Sequence, residues 1–177
     1  WLVIPLAVGL GIYTGVLLSA FSARPFWNSG ILGPLFLVSG LSTAAVLPLL
    51  AGVAANEKRH FERSDVALIA AELTLIALFL ISLATGAAQH LEALQLVWGG
   101  EYTVPFWLWF VLPGLLIPLL LEFLALRGNR LSGITAAVLV VAGGFILRYL
   151  MVEIGQVSTW NDYATQFAPQ LLQRLMP

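Results

Sequence analysis

Three ionisable residues, Glu72, Glu122 and Arg148, stand inside long apolar runs, where a charge is retained only at a cost. A charged side chain near the middle of a bilayer costs at least about 2.5–3.5 kcal/mol, so it normally turns toward a bundle interior or a wet cavity. Two carboxylates at similar depth can pass protons or line a polar, water-filled cavity in one half of the membrane. The plainer alternative is that each is protonated, or bonded to Ser/Thr and backbone, and only fixes helix packing. Arg148 has three options: to anchor by snorkelling outward, to pair with Glu153, or to donate to an anionic or carbonyl group. Glu153 lies five positions on, which is poorly aligned on a helix, so a partner on another span also fits. Tyr13 sits mid-run, and its hydroxyl must find a partner or lose a few kcal/mol, roughly.

The elements that must position these groups are helices. About 20 mainly apolar residues suffice to cross a bilayer. Five such runs are predicted, at about 2–21, 31–54, 66–85, 104–126 and 131–154. The expected fold is all-α, an integral membrane helical bundle over residues 1–156, with 157–177 as an extramembrane tail. Between the runs, Ser22 to Gly30 reads as a short turn whose aromatic residues suit the membrane interface. Asn56 to Asp65 reads as a charged loop, and Arg127 to Arg130 as a tight polar turn. The stretch from Ala87 to Trp98 alternates in a helical manner and is predicted to be a short interfacial helix.

Positive charge orients the bundle. Lys58, Arg59 and Arg63 share a side with Arg127 and Arg130, whereas the other side has Arg24 and, in the tail, Arg174. The five-charge side is therefore expected in the cytoplasm, and the tail on the periplasmic side. Pro5, Pro48, Pro113 and Pro118 are expected to kink their helices. Gly9, Gly11, Gly15, Gly143 and Gly144 are expected to allow close helix approach.

Composition agrees. Of 177 residues, 60% are hydrophobic and 10% charged, and the mean hydropathy is +0.95. A soluble domain carries roughly 25% charged residues, so lipid must solvate most of this surface. A net charge of −1 gives no basis for nucleic-acid binding. The chain has no cysteine to supply thiolates to an iron–sulfur cluster. No metal site is expected, and His60 and His90 lie beside polar connectors rather than inside spans. Opening on Trp1 within an apolar run, the sequence reads as part of a longer protein.

Several segments together carry a family resemblance. They are Ile12-Tyr13-Thr14-Gly15, the turn Arg24-Pro25-Phe26-Trp27-Asn28, and Phe36-Leu37-Val38-Ser39-Gly40-Leu41-Ser42-Thr43. Near the end come Gly143-Gly144-Phe145-Ile146-Leu147-Arg148-Tyr149 and Gly155-Gln156. The whole chain resembles the polysulfide-reductase-type membrane subunit, the NrfD/PsrC family. The resemblance implies the later helices of a subunit with eight or more, in a prokaryotic cytoplasmic membrane. It implies binding of a quinone or quinol (menaquinone or ubiquinone) and electron exchange with an iron–sulfur partner subunit. That partner usually connects to a molybdopterin, cytochrome or hydrogenase catalytic subunit. Tyr13 matches the family's tyrosine before the Arg-Pro-aromatic turn, and so is the implied quinone contact. The polar positions Glu72, Glu122 and Arg148 match more loosely to family positions linked to proton movement. Earlier helices, which supply other quinone contacts, are not in this chain. Two other readings remain: a purely structural anchor of such a complex, and a transporter or proton-pathway module.

Overall fold

The computed structural model describes residues 1–52, 55–126 and 130–158, without side-chain detail at 55, 56, 58, 125, 126 and 130–132. All regular structure among them is helical. The elements are α1 (Val3–Ser19), α2 (Leu32–Ala51), α3 (Ala55–Ala84), α4 (Ala88–Val97), a π-wound segment (Pro105–Leu116) continuing into α5 (Ile117–Leu126), and α6 (Arg130–Val157). Four stretches are long and apolar enough to cross a membrane: Leu32–Ala51, Arg59–Ala84, Pro105–Leu124 and Gly133–Val157. The first predicted span is the apolar α1, shorter at 17 residues. The protein is thus a multi-pass membrane helical bundle. The predicted turn at Arg127–Arg130 falls mostly outside the described residues, as does the tail beyond Ser158.

One expected element is different. Asn56 to Asp65 is the beginning of α3 rather than a loop, and the helix runs 30 residues without a break. The reason lies in its spacing. Glu62, Asp65, Ile69, Glu72, Ile76, Phe79 and Leu83 follow one another in steps of three and four, and all are buried. That is the seam of a helix packed on neighbours. The neighbouring charged residues Glu57, Arg59 and Arg63 are exposed. High charge density marked the segment as a connector, yet its charges are partitioned by face.

Small residues set the helix spacing. Gly15 of α1 lies on the backbone of Leu32 and Gly33 at the start of α2, and Gly33 faces Ile12 and Val16 in return. Gly114 and Gly143 meet back to back, so that a β-carbon on Gly143 would lie 2.6 Å from the Gly114 Cα. Such contacts let backbones approach where lipid gives no hydrophobic drive for association. Gly52 ends α2 in the left-handed region, φ 85°, and its N–H caps the Pro48 carbonyl. Pro113 does more than kink its helix. It lies within the π-wound segment, where wider winding relieves the clash of its ring with the preceding turn.

The Arg-Pro-Phe-Trp-Asn turn is not a lipid-facing aromatic loop, for Phe26 and Trp27 are buried. Trp27 Nε1 donates to the Met151 carbonyl at 2.7 Å, and the indole covers Gly155. Arg24 Nη1 donates to the carbonyls of Gln156 and Ser158. A guanidinium on the last carbonyls of α6 opposes the negative end of the helix dipole. Phe26 packs edge-on to Phe79 at 5.1 Å between centroids. The turn between α1 and α2 thereby locks the far end of α6 to the core. Helix α4 forms as expected and packs against the end of α3.

Candidate functional site

The buried seam of α3 presents its carboxylates to α2, α5 and α6, and a polar column results. At one level, Ser42 Oγ of α2 donates to Asp65 Oδ1 of α3 across 2.6 Å. Glu122 of α5 contacts the same Asp65 side chain. Asp65 and Glu122 are both 0% exposed. About 10 Å further along α3, two turns on, Glu72 faces the Ser39 hydroxyl and stands within Coulombic range of Arg148 and Asp65.

Arg148 reaches that position by folding back along its own helix. Its Nη1 donates to the Gly144 carbonyl at 2.6 Å, and its guanidinium lies 6.0 Å from the centre of the Phe36 ring. A β-carbon on Gly144 would fall 2.8 Å from Thr43 Oγ1, 3.2 Å from Arg148 Nη1 and 3.6 Å from Ser39 Oγ. The glycine therefore keeps open a small polar notch between α2 and α6. The arrangement can hold charge and protons inside the bundle: acids on α3 and α5, hydroxyls on α2, one guanidinium from α6.

Of the residues expected to do chemistry, Glu72 and Arg148 come together and Glu122 joins the same column. Two expectations change. Glu122 does not lie level with Glu72; its carboxylate neighbour is Asp65, two turns away on α3. Arg148 neither snorkels outward nor pairs with Glu153, because its shortest reach is to its own helix backbone and to the notch beside it. Glu153 instead lies within Coulombic range of Tyr102, whose phenol is held above its ordinary range by burial and by the carboxylates of Glu153 and Glu101. Asp65, Ser42 and Ser39 do not stand out in the sequence. The three-and-four spacing of Glu62, Asp65, Ile69 and Glu72 was the signal that could have found Asp65.

Tyr13 stands apart. It is 59% exposed on α1, turned away from the Gly11, Ile12 and Gly15 side that meets α2. The described residues offer its hydroxyl no hydrogen-bond partner. His60 near the start of α3 is exposed and His90 belongs to α4, so a helix length separates them. Among the described residues no group of three or more His, Cys, Asp or Glu is placed to hold a metal ion.

Comparison with known proteins gives the family. The family model described as "Polysulphide reductase, NrfD" matches residues 1–159. Protein NrfD of Escherichia coli K12 is 35% identical over 169 residues, covering 89% of this chain and 52% of that protein. An NrfD homolog of Haemophilus influenzae is 33% identical, covering 86% and 51%. The C subunit of polysulfide reductase from Wolinella succinogenes is 31% identical, covering 85% and 51%. The chain spans about half the length of these curated relatives. No solved structure matches. With the family model covering nearly all of the helical bundle, this chain belongs to the NrfD polysulphide reductase family.

Proposed function

We propose that this chain is part of a quinone-interacting membrane subunit of a respiratory oxidoreductase, in a prokaryotic cytoplasmic membrane with the end of α6 on the periplasmic side. The reading is carried by family membership together with the position of Tyr13. A phenol on an apolar helix face, without a partner among the described residues, is open to a ligand that arrives through lipid. Residues present here give part of a quinone site: one hydrogen-bond donor and an apolar wall. When bound, a quinone supplies two-electron, two-proton redox chemistry. The thiolates of an iron–sulfur cluster would come from a partner subunit, which in turn would serve a molybdopterin, cytochrome or hydrogenase catalytic subunit.

What this chain's own residues contribute is a donor and a proton store. Tyr13 would orient a head group by donating its hydroxyl hydrogen to a carbonyl oxygen. Glu72, Glu122 and Arg148, with Ser39 and Ser42 between helices, would exchange protons within the bundle interior.

Purified complex carrying Tyr13→Phe should assemble normally but oxidise quinol analogues more slowly, with a raised KM. Unchanged quinol kinetics in that variant would remove Tyr13 from the site. Absence of any quinone-analogue binding to the wild-type complex would favour a purely structural anchor.

A further inference from the structure

At the α4 end of the bundle two hollows meet at one indole. Helix α3 crosses the membrane as far as Ala84 and the next span starts at Pro105, so the stretch between them lies at one bilayer surface. There Trp98 ends α4 at 64% exposure. With Leu80, Ile81, Ala84 and Leu94 it lines a hollow of about 290 Å³. It also walls a second, of about 450 Å³, with Gly99, Thr103 and Trp107. Trp107 is fixed through its Nε1, which donates to the Val97 carbonyl at 2.9 Å, and it meets Trp98 edge-on at 5.3 Å between centroids. Gly99 turns the chain in the left-handed region, φ 120°, and its N–H donates to Thr103 Oγ1 at 2.7 Å. Trp98 Nε1 has no hydrogen-bond partner among the described residues.

Both hollows continue the lipid-facing surface. Leu78 and Ile81 on α3, and Leu108 and Trp109 on the π-wound segment, are exposed apolar side chains of the same two spans. Hydrocarbon is the medium that meets such walls. An acyl chain lying in a hollow touches several walls at once, whereas on a flat helix face it touches one, and dispersion attraction sums over the contacts. An indole at the bilayer surface adds a polar anchor, since its N–H can reach the oxygens of a head group. We propose that the two hollows around Trp98 hold one resident diacyl phospholipid, an acyl chain in each, with Trp98 Nε1 donating to its ester or phosphate oxygens. Such a site shares no residue with Tyr13 or with the polar column and does not depend on quinone chemistry.

The test is quenching of tryptophan fluorescence in the intact complex by phosphatidylcholine with brominated acyl chains, titrated in detergent. The signal of Trp98 is the part missing from Trp98→Phe. That part should be quenched saturably, by a single lipid per copy of this chain. Ala84→Leu, which fills the first hollow, should raise the half-saturating lipid concentration about tenfold. Leu120→Ala, at an exposed position on α5 that lines neither hollow, should leave it unchanged. Quenching that rises with the lipid fraction without saturating, or that is the same in Ala84→Leu as in the wild type, would mean ordinary boundary lipid and overturn the proposal. So would a Trp98 signal that brominated lipid does not reach, for another subunit would then cover the indole. Recovery of the quenched signal on adding a long-chain quinone, but not on adding unbrominated phosphatidylcholine, would assign the hollows to a quinone tail and likewise overturn it.

Discussion

The Trp27 indole nitrogen bonds to the Met151 carbonyl at 2.7 Å while its ring covers Gly155, where no side chain fits. The two residues are joined as donor bracket and backbone seat. Gly155→Ala would drive a methyl group into the indole. We expect a loss of about 1–3 kcal/mol from overpacking, read as a lower thermal midpoint in detergent. Trp27→Phe keeps the seat and loses the bond, and should cost about 1 kcal/mol for the hydrogen bond before any packing loss. A midpoint unchanged by Gly155→Ala would show that the turn is not seated as described.

A graded response is expected along α1. A β-carbon on Gly9 would meet nothing within 4 Å, one on Gly11 would lie 2.8 Å from the flexible Leu37 Cδ1, and one on Gly15 would fall on the Leu32 backbone. Alanine at each should therefore be neutral, mildly destabilising and strongly destabilising, in that order. The last is expected at about 1–3 kcal/mol or more. Cross-linking between engineered cysteines on α1 and α2 would report the separation directly. An equal effect at all three positions would contradict the packing.

Removing Arg148 leaves the buried Glu72 with a hydroxyl neighbour and no counter-charge among the described residues. Arg148→Met removes the hydrogen bond to Gly144 and the nearby positive charge, and should destabilise the bundle by about 1–3 kcal/mol. Adding Glu72→Gln should recover part of that loss, with a coupling of about 0.5–3 kcal/mol between the two sites. Simple additivity in denaturant titrations of the four proteins would mean that the two side chains do not interact.

Gly144→Ala places a methyl group where Thr43, Arg148 and Ser39 converge. The expected result is displacement of the guanidinium, visible as a stability loss of about 1 kcal/mol or more that disappears in an Arg148→Met background. A loss of equal size in both backgrounds would place the strain on Thr43 instead.

Much of this architecture is legible in the sequence because lipid imposes a simple rule. Long apolar runs must be helices, and buried charges within them must face inward. Glu72, Glu122 and Arg148 stand out for that reason. Asp65 did not, because neighbouring surface charges such as Arg63 masked its face; composition counts charges, whereas burial depends on their angular position. The fate of Arg148 was hidden too. Its i−4 carbonyl and the vacant β-position of Gly144 are tertiary facts, invisible to a count of positions to Glu153. Likewise the aromatic turn looked like a membrane-interface belt, although Phe26 and Trp27 are core residues fixed to α3 and α6.

The seam of α3 changes character along its length, from Glu62, Asp65 and Glu72 to Ile76, Phe79 and Leu83. Beyond Glu72 the aromatic pair Phe26–Phe79 plugs the interior. The acidic half of the seam is therefore closed off from the other end of α3 by packed hydrocarbon. Packing of this kind resists leakage across the bilayer, and any proton transfer past Glu72 would need Phe26 and Phe79 to move or a sideways route between helices.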